Sequence, residues 1–256
     1  MKQGVIYIIL IVFILGLAIG SFLNVCIYRI PRGESISYPP SHCTNCKNRI
    51  KPYDLIPLIS YVVLKGKCRY CGEKISIRYP LTELFTGIIF VCLYFKYGLT
   101  IEFIKFALLS STLVVIGFID HDTTDIYDST IISGLVFGII FLGINLYFGL
   151  PIKTYLLGAL VGGGFISIII LLVGGMGWGD AELLALCGLF VGAKLMTLIL
   201  LLSVIVGGIT GGGLILLKKK NRKDYIPFGP SIVIAAILTV LLGEKILDWY
   251  FTSLIF

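Results

Sequence analysis

The chain has 256 residues, of which 57% are hydrophobic and only 14% charged, and its mean hydropathy is +1.01. A water-soluble core of this length does not need so much apolar surface, so a soluble protein is excluded. The net charge of +7 is blocked: ten of the 21 basic residues fall between Arg29 and Arg78, and five more are Lys218, Lys219, Lys220, Arg222 and Lys223. Between apolar runs, such blocks read as topology signals that mark the cytoplasmic side of a membrane, ahead of any nucleic-acid role.

The first apolar run, 4–26, follows Lys2 as a signal peptide would. It continues past signal-peptide length, and Gly20-Ser-Phe-Leu-Asn-Val-Cys26 offers no small-x-small cleavage site, so a retained membrane helix is expected. Further membrane helices are predicted over 82–97, 101–119, 129–149, 153–174, 181–192, 195–217 and 229–251. The sixth is short, and one continuous helix through 181–217 is the alternative to a break at Gly192-Ala193. With the Arg29–Arg78 loop cytoplasmic, the N-terminus lies outside, and the connections near 120–128, 174–180 and 218–228 fall inside. Eight spans put the Lys218–Lys223 cluster inside, as the charge rule requires, and seven would put it outside.

The predicted fold class is an all-α polytopic membrane protein, with about eight transmembrane helices and a small cytoplasmic zinc-binding loop domain. The expected domains are the first transmembrane helix at 1–28, a four-cysteine domain at 29–80 and a transmembrane domain at 81–256. Thirty glycines suit close helix packing in lipid.

Four of the seven cysteines are grouped, as Cys43-Thr-Asn-Cys46 and Cys68-Arg-Tyr-Cys71, with 21 residues between the pairs. Each C-x-x-C pair can present two thiolates from one tight knuckle, and two knuckles complete a tetrahedral S4 site. Zinc is the default occupant, in a structural role, since no coordination position stays open for water. An iron–sulfur centre, a redox role and no ligand at all are the alternatives, while a cytoplasmic setting disfavours stable disulfides. His42 is expected to be a bystander. Cys26, Cys92 and Cys187 stand singly in or beside apolar runs and read as small buried hydrophobes.

Carboxylates at a membrane edge are costly and mark function. Asp120 ends one apolar helix and Asp180 opens another within Gly177-Trp-Gly179-Asp180, and the expected topology puts both on the cytoplasmic side. Two aspartates held together share a proton, one acting as base toward water and the other as acid toward a scissile carbonyl. Glycines such as Gly177 and Gly179 would let an extended substrate backbone approach. The bland reading is helix caps or solvated loop charges, which suits Asp125, Asp128 and Glu182. A proton-coupled transporter and a non-enzymatic docking scaffold are the rival functions. Neither His42 nor His121 has a partnered nucleophile, and no pair of histidines has the helical spacing of a catalytic zinc site.

Taken together, these segments resemble the prepilin peptidase, or type IV leader peptidase, family along nearly the whole chain. Gly20 through Pro31 resembles its opening signature, and Pro40 through Cys71 its zinc-binding cytoplasmic loop. Ile75 through Leu84 resembles the approach to its second helix, and Pro227-Phe-Gly-Pro230 its late motif. Asp120 and the G-x-G-D aspartate Asp180 stand where the family has its catalytic pair. One departure is Tyr127-Asp128, where the family often has Pro-Asp. The resemblance implies an intramembrane aspartic endopeptidase in the plasma membrane of a prokaryote. It would remove the basic leader of type IV prepilins or pseudopilins, in many members N-methylating the new terminus with S-adenosylmethionine. The expected partners are those precursors and the lipid bilayer, with no nucleic acid. Arg78 and Glu83 either serve the charged leader or pair at the membrane interface.

Overall fold

The computed structural model describes residues 2–172, 174, 177–218 and 226–254. The expected features at Gly175, Met176, Lys219, Lys220, Arg222 and Lys223 lie outside the described residues. Eight α-helices follow in order: α1 Lys2–Arg29, α2 Ile59–Val63, α3 Arg78–Tyr97, α4 Ile101–Thr123, α5 Asp128–Tyr147, α6 Lys153–Leu172, α7 Trp178–Leu216 and α8 Gly229–Leu254. All but α2 are long and apolar enough to cross a membrane. Large apolar side chains such as Ile11, Ile139, Leu160 and Leu171 stand exposed along them. That is the surface lipid requires of a helix whose backbone is satisfied internally.

The chain divides into two compact units, Met1–Phe103 and Ile104–Phe256. In the first, α1 and α3 pack antiparallel through small residues. A Cβ at Gly16 would lie 2.8 Å from the Gly87 Cα, and one at Gly20 would lie 2.7 Å from the Glu83 Cα. Between these helices runs the four-cysteine segment. Arg29, buried at the end of α1, donates to the Ser35 and Pro39 carbonyls at 2.7 and 2.6 Å and so folds the chain back on leaving the helix.

The second unit is a helical bundle around Leu183, Leu186, Phe190, Met196 and Ile232, all essentially inaccessible. Backbones come closest where α6 meets α7: a Cβ at Gly158 or at Gly188 would collide with main-chain atoms of the other helix. Lipid offers no hydrophobic drive between helices, so this small-residue contact is what holds them.

The expected break at Gly192-Ala193 is real. Gly192 has φ 80° and ψ 171°, a left-handed conformation that favours glycine. The chain turns back there. Before the turn α7 runs parallel to α5, with Gly134 against Leu186 and Gly138 against Leu189. After it the helix descends alongside α8, with Leu195 against Gly243 and Gly207 against Phe228. Helix α7 therefore supplies two antiparallel segments, 178–191 and 193–216. The first is only about 21 Å long at 1.5 Å per residue.

Candidate active site and metal centre

The α4–α5 connection begins where Thr124 adopts φ 59° and its N–H closes the last turn of α4 on the Asp120 carbonyl at 2.8 Å. Asp120 thus stands in the final turn of α4, and Asp180 is the third residue of α7 after the extended Gly177 at its N-cap. Both are buried, at 3% and 4% exposure, and the charge of Asp120 reaches Asp180. Their placement at helix ends differs from a relay of carboxylates down the middle of a membrane.

Burying a carboxylate is costly unless donors meet it. For Asp120 the donor is the Gly229 N–H, 2.9 Å from Oδ2. Gly229 opens α8, so the carboxylate sits on the positive end of a long helix. Asp180 occupies the corresponding zone of α7, in its first turn.

Gly229 admits no side chain, because a Cβ there would lie 2.5 Å from Asp120 Oδ2. The sequence signal for it was Pro227-Phe-Gly-Pro230, whose prolines mark a helix start without saying which side chain the helix end meets. Gly179 has a different neighbour from the one expected: a Cβ would lie 2.8 Å from the Ile126 Cβ. This glycine lets the α4–α5 connection close on the start of α7, which brings the two aspartates' helix ends together. Asp125, Asp128 and Glu182 are exposed, and the N-cap of α5 is Tyr127 rather than an aspartate.

The four cysteines converge in the other unit, their sulfurs all within 4.8 Å of one another. The two knuckles repeat one design. Cys43 N–H donates to the Asn48 carbonyl and Lys47 N–H to the Cys43 carbonyl; Cys68 N–H donates to the Glu73 carbonyl and Gly72 N–H to the Cys68 carbonyl. The fifth residue of each turn has positive φ, 58° at Lys47 and 71° at Gly72. The Cys71 and then the Tyr70 backbone N–H groups meet the Cys68 sulfur and lower its thiol, and such donors favour the thiolate a metal needs.

Across the knuckles, Cys43 Sγ lies 3.8 Å from Cys71 Sγ and Cys46 Sγ lies 4.0 Å from Cys68 Sγ. A tetrahedral ion with sulfur bonds of about 2.3 Å sets neighbouring sulfurs roughly 3.8 Å apart. The donor set fits a metal ion. Arg69, inside the second knuckle, donates to both Asp54 oxygens at 2.8 and 2.5 Å. This fork holds the Asp54 carboxyl below its ordinary range.

Fold and geometry define a polytopic helical membrane protein with a buried pair of carboxylates in one unit and a four-thiol centre in the other. Two family models match it: the bacterial peptidase A24 N-terminal domain over residues 14–97 and the type IV leader peptidase family over residues 107–212. The chain is 33% identical to a protein of Pseudomonas putida named prepilin leader peptidase/N-methyltransferase, over 94% of this chain and 92% of the relative. Relatives of the same name are 33% identical in Bacillus subtilis (strain 168), over 94% and 96%, and 35% identical in Aeromonas salmonicida, over 96% and 94%. No solved structure matches significantly. The chain belongs to the type IV leader peptidase family.

Proposed function

We propose that this protein removes the basic leader of type IV prepilins and pseudopilins, with Asp120 and Asp180 as its catalytic pair, and then N-methylates the exposed terminus. The observation that carries the peptidase assignment is the burial of these two carboxylates at opposed helix ends, one of them held by a backbone N–H. With the charge of Asp120 felt at Asp180, the pair keeps one proton between them. The ionised partner takes a proton from water as that water attacks the scissile carbonyl, while the protonated partner donates to the developing oxyanion. The Gly229 N–H fixes Asp120 Oδ2, leaving Oδ1 for the water or its partner.

The substrate's apolar helix enters from the bilayer, and its basic leader lies on the cytoplasmic side with the 29–80 domain. The ten basic residues of that segment support this orientation, with the N-terminus outside. Zinc is the metal of Cys43, Cys46, Cys68 and Cys71, in a structural role, because four thiolates leave no open position. The methyl donor is S-adenosylmethionine: the amine's lone pair takes its methyl group, the C–S electrons stay on sulfur, and the amine proton leaves to solvent.

The test is cleavage of a cognate precursor in membranes, read by product mass. Wild type is expected to shorten the precursor and, with the donor present, to add the mass of one methylene. Asp120→Ala and Asp180→Ala should each abolish cleavage while accumulating normally. Full activity in either variant would overturn the pair.

A further inference from the structure

The first unit holds a cavity of about 780 Å³ where the last third of α1, the start of α3 and the four-cysteine segment meet. Its size lies within the range of small-molecule sites, which combine apolar walls with a few placed polar groups. Phe22, Tyr28, Tyr61 and Tyr79 supply aromatic wall, and Glu83 supplies a carboxylate.

Glu83 is 8% exposed, yet both its hydrogen-bond partners are neutral. The Leu58 N–H donates to Oε2 at 2.9 Å, and the Ser21 hydroxyl donates as well. Among the described residues no lysine or arginine pairs with it. Of the other charged walls, Asp54 is engaged by Arg69, Arg29 by two carbonyls and Glu73 by the Asn45 amide, and Lys74 lines the cavity without bonding Glu83.

The protein maintains this carboxylate against resistance. Leu58, whose N–H reaches it, has φ 58° and ψ −49°, a strained conformation for a residue with a side chain, of the kind that collects at functional sites. Gly20 lets α1 close directly on the Glu83 backbone. A buried acceptor without a cation, set among aromatic rings, calls for a ligand with a flat ring, N–H or O–H donors and positive charge. A polybasic leader suits it less, because with Asp54 held by Arg69 the cavity keeps only Glu73 and Glu83 to meet several lysines.

We propose that this cavity is the binding site of S-adenosylmethionine, with Glu83 accepting from the ligand's hydroxyl or ammonium donors and the tyrosines flanking its adenine. The proposal rests on the methyltransferase reading above. Purified full-length chain with its metal would be irradiated with S-adenosyl-L-[methyl-³H]methionine and the labelled peptides mapped, and the affinity measured by equilibrium dialysis. Label should fall within 18–29, 54–61 or 79–83, and Glu83→Gln should weaken binding roughly tenfold or more, as loss of a charged acceptor does. The map on wild type needs no variant, so a misfolded Glu83→Gln, seen as lost metal, leaves the test standing. Suppose wild type cleaves and methylates a precursor but the label maps elsewhere, or well-folded Glu83→Gln binds as wild type does. The site is then overturned and the methyltransferase reading survives. Wild type that cleaves but neither binds the donor nor gains mass overturns both.

Discussion

The two centres of this protein are built by opposite means. Each half of the cysteine centre is a short turn whose own backbone hydrogen bonds aim two sulfurs, so its geometry is written within 43–48 and 68–73. The aspartate centre has no local frame. Asp120, Asp180 and Gly229 come from three helix ends separated by 60 and 49 residues, and only glycine-mediated helix packing unites them. A local centre tolerates change in the surrounding helices, whereas a centre made of helix ends transmits every packing error to its carboxylates.

The largest effect that sharpens this contrast is loss of either aspartate. General acid–base groups contribute about 10²–10⁴-fold each, so cleavage by Asp120→Ala or Asp180→Ala should fall roughly a thousandfold or below detection, with the metal content of the chain unchanged. Next comes Gly229→Ala. Its Cβ would push on the Asp120 carboxylate and cost the N–H contact, worth roughly 1.5–3 kcal/mol for a charged group, or about 10- to 100-fold in rate. Steady-state cleavage should show kcat lowered with KM little moved, since no substrate contact is removed. Wild-type kinetics in Gly229→Ala would mean that Asp120 is positioned by something other than α8.

The same contrast explains what was legible in the sequence. Apolar runs located every long helix, and the break expected at Gly192-Ala193 falls where φ reaches 80°. Helix ends were read a few residues off, some short and some long: the runs expected to end at 149 and 174 stop at Tyr147 and Leu172. The run starting at 82 begins at Arg78, because Arg78, Tyr79 and Pro80 add little hydropathy but suit a first helical turn. The cysteine centre was legible because its spacing is its geometry. Asp120 and Asp180 stood out as carboxylates at the ends of apolar runs, but Gly229 carries no chemistry of its own and is meaningful only through a contact 109 residues away. Gly179 was legible as a glycine that something must approach, though Ile126 is what approaches it. The cavity at Glu83 was invisible for the same reason, since its walls come from three separate stretches of chain.

Smaller effects on cleavage are expected at the cysteine centre. Cys43→Ser and Cys68→Ser should each lose the metal, measured by atomic emission on purified protein, because a structural ion gives folding energy that three thiolates hold poorly. Segment 29–80 should then become sensitive to protease. Cleavage should fall by less than in Gly229→Ala, through a raised KM, if the segment only presents the leader. A loss as complete as in Asp120→Ala would dissolve the contrast and make the segment part of the catalytic machinery.

The smallest effect belongs to Arg69→Gln, which removes the fork onto Asp54 while leaving all four sulfurs. The Arg69 side chain is 41% exposed although that of Asp54 is only 5% exposed, so solvent and salt reach the pair from the Arg69 side and its worth is modest. The sign of its pH dependence follows from Asp54, whose carboxyl the Arg69 hydrogen bonds hold below the ordinary value. Stability from the pair is fully present above the unfolded Asp value of about 3.9 and is lost as pH falls through the lower folded value. Protease protection of 29–80 should therefore be slightly weaker in Arg69→Gln than in wild type at neutral pH, with the difference shrinking in high salt and again on acidification. The metal should be retained throughout. A difference that persists in high salt, or metal lost at neutral pH, would show that the second knuckle depends on its ion pair as well as on its own backbone. The cysteine centre would then be less local than its hydrogen bonds imply.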